Sequence, residues 1–274
     1  MIYLAGLIPI FIGFYRAYKN THELVVNQVR LNADEHALRV LHISDIHLEN
    51  LSVTPDTLYN LSKGDRFDLI ALTGDFLDRR KSIPKLIPYL EVFQSLSPRY
   101  GIYAVFGNHD YVLRNNDFIQ LKRTLQSYNV KTMQNEHDVI LCNGKRVNII
   151  GIDDYSTNRS DFDQSYQGLK EGYNLVLTHD PNAVLQMQNY HFDYLLSGHF
   201  HGGQILYPKA YHLAKMGKLP KMNMIKGLHQ YQGKPFYISE GLGQTGVNIR
   251  VGSRPEITIH EIGLATSVSH VRAK

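Results

Sequence analysis

Leu195-Leu196-Ser197-Gly198-His199-Phe200-His201-Gly202-Gly203-Gln204 is a short apolar run that ends in two imidazoles framed by glycines. The run has the length of a buried strand, and the glycines after it signal a tight loop. Residues two apart in an extended loop point the same way, so His199 and His201 can offer lone pairs to neighbouring ions. Alone, a His-x-His pair is weak evidence of a metal site. The same arrangement recurs upstream in Ser44-Asp45-Ile46-His47, Gly74-Asp75-Phe76-Leu77-Asp78, Gly107-Asn108-His109-Asp110 and Thr178-His179-Asp180. A cap or turn role would account for any one of these clusters. It does not account for five, each at the end of an apolar run.

Between the clusters the chain alternates strand-like and helix-like segments. Strands are expected at 39–43, 68–73 and 101–106, with helices at 55–63 (capped by Thr54), 83–96 and 116–128 (capped by Asn116). The texture then changes. Segments 138–142 and 146–150 flank Asn143-Gly144, a two-residue hairpin signal, so the second half is expected to open with antiparallel strands. Further strands are expected at 174–178, 194–197, 235–239 and 256–262, with a helix near 182–188. In the parallel part, ligands bind beyond the carboxyl ends of strands. All five polar clusters fall there, which makes them one site.

The 274 residues, 43% hydrophobic and 20% charged, are enough to bury a full core in one large domain. A net charge of +4 suits an anionic substrate or an anionic membrane surface, and falls short of a dedicated DNA binder. Cys142 is the single cysteine, which excludes a disulfide framework and a thiolate metal site. Residues 2–15 are almost uninterruptedly apolar, with Pro9 inside the run and Arg16 and Lys19 closing it. Spanning a bilayer takes about 20 residues. No basic residue precedes the run and no small-x-small site follows it before Arg16, which argues against a cleaved signal peptide. Residues 1–20 are therefore expected to form a short or tilted membrane anchor or an interfacial helix, with a buried helix of the domain as the alternative. The basic residues after the run are expected to put the rest of the chain on the cytoplasmic face, the opposite face being the alternative.

Seven residues make a plausible ligand set for two ions: Asp45, His47, Asp75, Asn108, His179, His199 and His201. Carboxylate, amide and imidazole donors without thiolates suit Mn, Fe, Zn or Co, and Asp75 is the natural bridge. Asp-x-His, Gly-Asp-x-x-Asp, Gly-Asn-His-Asp, His and Gly-His-x-His in this order resemble the calcineurin-like metallophosphoesterases over residues 40–262. The resemblance implies an α/β (α+β) four-layer fold, a two-sheet β-sandwich flanked by helices, occupying residues 39–264. It also implies two divalent transition-metal ions, manganese first among them. One would be held by Asp45, His47, Asp75 and His201, the other by Asp75, Asn108, His179 and His199. His109 would stabilise or protonate the leaving oxygen, and Asp78 would orient it; helix capping is the competing role for Asp78. Asp110 stays unassigned between capping and support of the ligands.

The Gly-His-x-His-Gly-Gly-Gln form together with the apolar amino terminus resembles a bacterial membrane-associated subgroup, some members similar to phosphodiesterases and others to UDP-2,3-diacylglucosamine hydrolases. One branch of lipid A enzymes carries Arg after Gly-Asn; this chain has His109, so that substrate is one candidate among several. The expected reaction is hydrolysis of a phosphodiester or pyrophosphate in a phosphorylated small-molecule or lipid-linked substrate at a membrane. A nuclease is the alternative. It would need a long basic groove with interleaved aromatics, and the one basic cluster, Lys209, Lys215, Lys218, Lys221 and Lys226, alternates with Leu and Met instead. That stretch suits a lipid interface or an amphiphilic substrate, or is a solvated insertion. Nucleic acid is not the expected partner. Gly241-Leu242-Gly243-Gln244-Thr245-Gly246 matches G-x-G-x-x-G, but a strand-like segment at 247–251 follows it instead of a helix, so it is not a dinucleotide fingerprint. It reads as a loop closing over the metal rim, with Arg250 a candidate phosphate contact.

Overall fold

The computed structural model describes residues 2–34, 37–207 and 210–264. Its strands form two six-stranded sheets. The first runs β1 (Val25–Leu31), β12 (Glu256–Ile262), β2 (Leu38–Ile43), β3 (Leu69–Thr73), β4 (Ile102–Val105) and β5 (Val130–Thr132). The second runs β10 (Gly227–Tyr231), β11 (Lys234–Ile238), β9 (Tyr194–Ser197), β8 (Tyr173–Leu177), β7 (Lys145–Gly151) and β6 (Glu136–Cys142).

Strands β3, β4, β8 and β9 are buried along their whole length because both faces of each sheet are covered. The period of two divides their side chains. Val40, Leu69, Ala71 and Val105 face Val147, Ile149, Leu175, Leu177 and Leu196 between the sheets. Leu41, Ile43, Ile70 and Leu72 face outward onto α2 (Pro55–Ser62), α3 (Ile83–Ser95) and α4 (Asn115–Ser127) through Leu58, Leu86, Leu90, Phe93, Leu121 and Leu125. The outer face of the second sheet packs against the 3-10 turn Pro181–Gln186 and against Leu213 and Leu219. Each such side chain contributes about 1.5–3 kcal/mol on burial. The result is the expected four-layer sandwich.

The local signals hold where their chemistry is local. Thr54 caps α2, accepting from Thr57 N. Asn143 and Gly144 both take positive φ in the β6–β7 hairpin, as a type I′ turn requires. Other expectations are corrected. Helix α4 begins at Asn115 after Arg114, with no side-chain cap from Asn116. The helix near 182–188 is the 3-10 turn Pro181–Gln186. Residues 247–251 form no strand, only a bridge between Val251 and Ile205. The second half does open with antiparallel strands, the β6–β7 hairpin, but β7, β8, β9 and β11 then run parallel until the β10–β11 hairpin reverses again. Strands β1, β5 and β10 were not expected. They are half-exposed, so they carry no continuous apolar run for periodicity to find. β1 lies ahead of residue 39 yet pairs with β12, so the first sheet draws on residues before the expected start of the domain.

At the amino terminus, α1 (Ile2–Lys19) rises about 27 Å at 1.5 Å per residue. Among the described residues no helix is long and apolar enough to cross a membrane. Its carboxyl end is docked: Ala17 is buried, Arg250 N donates to Ala17 O at 2.9 Å, and Thr21 Oγ1 lies 2.8 Å from Ser52 Oγ.

Between the sheets, His42 and His260 are fully buried with ring centroids 5.6 Å apart. His42 Nε2 meets Thr73 Oγ1 at 2.8 Å, and His260 Nδ1 meets the Tyr194 hydroxyl at 3.0 Å. Burial pushes His42 down to about 3. The unfolded chain takes up that proton below pH 6.5 while the folded one resists it, so stability present at neutral pH is lost as pH falls from 6.5 toward 3. By pH 4.5 the loss from this one group is about 2–3 kcal/mol. The urea midpoint is expected to drop less between pH 7 and 4.5 in His42→Gln than in the natural chain. Equal drops would show that His42 is protonated within the fold.

Candidate metal centre

Each of the five polar clusters begins where a buried strand stops: after β2, β3 and β4 in the first sheet, after β8 and β9 in the second. The backbone there turns sharply. Asp45, His47, Asp75, His199 and His201 all take positive φ, between 40° and 75°. Side chains other than glycine rarely accept this conformation, and it persists where surrounding contacts over-determine it. Here the contacts run between the sheets. His199 N donates to both Asp45 carboxylate oxygens at 3.1 Å, and His179 Nδ1 donates to Thr73 O at 2.8 Å. Two glycines make room: a Cβ on Gly107 would collide with Asp75 Oδ1 and the His179 ring, and one on Gly198 with Ser44 and Asp45.

The turns gather two buried triads whose ligand atoms lie within 4.8 Å of one another, Asp45–His47–His201 and Asp75–His179–His199. His201 Nε2 is 3.3 Å from Asp45 Oδ1. Asp75 Oδ2 is 3.0 Å from His179 Nε2 and 3.4 Å from His47 Nε2, so this carboxylate stands between the two triads. His179 and His201 each spend Nδ1–H on a backbone carbonyl, Thr73 O and Gly243 O, which leaves Nε2 facing the carboxylates.

The charges say what the site lacks. Burial opposes a charge on His47, yet the Asp75 and Asp78 carboxylates hold it up to about 10. Burial likewise opposes His179, which Asp75 holds well above its ordinary range. Burial and the His179 charge push His199 down; burial and the His47 charge do the same to His201. Each triad thus draws one positive charge to its carboxylate. Two buried polar atoms at the site make no hydrogen bond, His47 Nε2 and Asn108 Oδ1. Nitrogen and oxygen donors without sulfur, these unpartnered atoms and carboxylates that attract positive charge in each triad fit a pair of divalent transition-metal cations.

Beside the triads, His109 Nδ1 lies 2.9 Å from Asp78 Oδ1, and the His109 ring meets the His47 ring edge-on at 4.7 Å. Asp78 is placed by Glu49, which accepts from Asp78 N and Arg79 N at 3.1 and 3.0 Å. Asp110 has a role that its sequence context left open. Its buried carboxylate accepts from Asp75 N at 2.9 Å, Phe76 N at 2.8 Å and Gly107 N at 2.9 Å, tying the β3 and β4 turns together. Burial and the Asp75 charge push its carboxyl up to about 7, against those N–H groups.

The sequence profile of calcineurin-like phosphoesterases matches residues 38–203, which contain both triads. The chain belongs to that family. It is a metal-dependent phosphoesterase. The chain is 60% identical to the uncharacterized metallophosphoesterase YkoQ of Bacillus subtilis (strain 168), over 95% of this chain and 99% of that one. It is 25% identical to the phosphodiesterase YaeI of Escherichia coli (strain K12), over 88% of each. It is 26% identical to the UDP-2,3-diacylglucosamine pyrophosphatase LpxG of Chlamydia trachomatis serovar D, over 82% of this chain and 83% of that one.

In this phosphoesterase the Gly241–Gly246 loop lies directly on the metal rim: Leu242 N donates to Ser44 O at 2.9 Å and Gly243 N to Asp45 O at 2.7 Å. Arg250, the candidate phosphate contact, points its guanidinium into the protein. It is fully buried and donates to the carbonyls of Glu240, Gly241, Gly243 and Arg254 at 2.7–3.0 Å. Gly243 O is also the acceptor for His201 Nδ1, so Arg250 clasps the loop that aims a candidate ligand. Its backbone joins the same loop to α1 through Ala17 O and Asn20 Nδ2. A cleft of about 520 Å³ opens from Asn108 and His199 toward Lys215 and Lys218. Of the basic stretch, Lys209 lies outside the described residues.

Proposed function

We propose that this phosphoesterase holds two divalent cations, manganese foremost, and hydrolyses a phosphodiester or pyrophosphate bond in a lipid- or nucleotide-linked substrate. The observation that carries the reading is the position of Asp75 between two buried triads, next to the His109–Asp78 pair. When bound, such cations would neutralise charge on the phosphoryl oxygens and lower the pKa of a water that they hold. In this reading Asp45, His47, Asp75 and His201 hold one cation, and Asp75, Asn108, His179 and His199 the other. Asp78 accepts the Nδ1–H of His109, which directs Nε2 toward the leaving oxygen. Water adds to phosphorus and gives its proton to solvent, the phosphorus–oxygen bond to the leaving group breaks, and His109 supplies the proton that the departing oxygen takes up and regains one from solvent.

The substrate class draws on the relatives, one a phosphodiesterase and one a pyrophosphatase of an acylated sugar nucleotide by name. The membrane setting draws on α1, where Phe11, Phe14 and Tyr15 are each more than 60% exposed. Aromatic side chains so displayed suit a helix lying in a lipid–water interface, with residues 1–20 as the surface element. The basic stretch contributes less to that surface than its composition suggests, since Leu213 and Leu219 are packed in the core.

The test compares chelator-treated and manganese-loaded protein on bis-p-nitrophenyl phosphate, disubstituted diphosphates and oligonucleotides. Metal-dependent hydrolysis of the first two, at least about tenfold faster than of oligonucleotides, is expected. Faster cleavage of oligonucleotides would make the protein a nuclease, and no metal-dependent cleavage of any probe would refute the reading.

A further inference from the structure

The residues that follow His179 have no part in the chemistry above, yet they build a rigid connection to the far wall of the cleft. Asp180 Oδ1 accepts from Asn182 N at 2.9 Å and Asn182 Nδ2 at 2.8 Å. Asn182, itself buried, donates from Nδ2 to Met216 O at 2.8 Å, and its Oδ1 accepts from Lys218 N at 3.0 Å and Leu219 N at 3.2 Å. Gly217 closes this clamp at φ +103°, with no room for a Cβ against the Asn182 amide. Segment 216–219 is therefore held in register with a candidate metal ligand two residues upstream of Pro181.

The clamp fixes where two cations stand. Lys215 and Lys218 flank the clamped turn and line the same cleft as Asn108 and His199. Neither ammonium has a hydrogen-bond or ion-pair partner among the described residues. The carboxylate in the cleft wall, Asp180, is nearly buried and turned to Asn182. A scissile phosphoryl group beside Asn108 and His199 would thus leave unneutralised positive charge facing whatever the substrate carries next. We propose that Lys215 and Lys218 form a subsite for a second phosphoryl group, which makes the preferred substrate a phosphoanhydride diester instead of a simple phosphodiester. The proposal rests on the phosphohydrolase reading of the centre. Ammonium groups on flexible stems act as point charges and need no bidentate geometry, which suits a phosphoryl group whose substituent varies.

The test uses the full, manganese-loaded chain and the variant pairs Lys215→Gln/Lys218→Gln and Lys215→Arg/Lys218→Arg. KM is measured for bis-p-nitrophenyl phosphate and for P1,P2-di-p-nitrophenyl diphosphate. Binding is measured calorimetrically for hydrolysis-resistant methylene analogues, one of a uridine diphosphate sugar and one of a dialkyl diphosphate. The Gln pair should raise KM for the diphosphate and Kd for at least one analogue roughly tenfold, with kcat and the KM of the simple diester within about twofold; the Arg pair should stay near the natural chain. Which analogue loses affinity tells a nucleotide-linked from a lipid-linked source. Loss of analogue affinity in a protein that hydrolyses neither probe would keep the subsite and refute the phosphohydrolase reading. Hydrolysis with unchanged diphosphate KM and analogue Kd in the Gln pair, equal loss on both probes, or no analogue binding to the natural chain would overturn the subsite.

Discussion

Replacing Asp75 with alanine should bring turnover down to the chelator-treated background and lower the metal content of both triads, not of one. Asp75 Oδ2 stands 3.0 Å from His179 Nε2 and 3.4 Å from His47 Nε2, one imidazole from each triad, and among the described residues no other carboxylate is so shared. Its other oxygen accepts from His109 N at 2.8 Å, so the same change loosens the backbone that carries the acid. Elemental analysis should show bound manganese falling from about two per chain toward zero. Folding should survive, because removing the Asp75 charge relieves the Asp110 carboxyl, whose proton affinity that charge helps to raise. A variant that kept both metals and near-normal turnover would show that the two sites do not depend on this carboxylate.

Replacing His109 with alanine should leave the metals in place and cost on the order of 10²–10⁴ in rate, as expected of a positioned acid. The ring is only partly buried and lies outside the two buried triads, in a half-buried group with His47 and Asp78. The loss should shrink with a good leaving group such as p-nitrophenolate and grow with an alkoxide. Equal losses on both would argue against proton donation and for charge stabilisation alone. Burial disfavours the imidazolium, but the Asp78 hydrogen bond and the Asp75 charge raise the His109 pKa above its ordinary value. An acid whose pKa a neighbouring carboxylate raises stays protonated to higher pH, so the alkaline limb of the rate profile should depend on Asp78. Asp78→Asn removes the carboxylate, and should move that limb to lower pH while lowering the rate less than His109→Ala does.

The chemistry of this centre was legible from local sequence because each ligand type sits at a strand end, and both facts are recorded within a few residues. An apolar run of five residues followed by Gly-Asp or Gly-His is a local statement about burial and turn. Five strand-end clusters of Asp, Asn and His pointed to one rim, and their order carried the resemblance from which the class of fold and the reaction class followed. The turns at Thr54 and Asn143-Gly144 were legible for the same reason, since their hydrogen bonds and backbone angles close within four residues.

Tertiary structure decided whatever depends on partners far along the chain. Arg250 is a cation after a glycine-rich loop in the sequence. Only packing shows that its donors are satisfied by the carbonyls around the rim and that its backbone holds α1. Asp110 could have capped a helix; two N–H groups of the β3 turn and one of its own turn make it a brace. Lys215 and Lys218 read as part of an interfacial stretch until Asn182, more than 30 residues away, pins their turn over the cleft. Edge strand β1 acquires its strand character from β12, more than 220 residues later. Periodicity and turn chemistry report only on near neighbours, whereas a buried polar group must find its partner wherever the fold brings one.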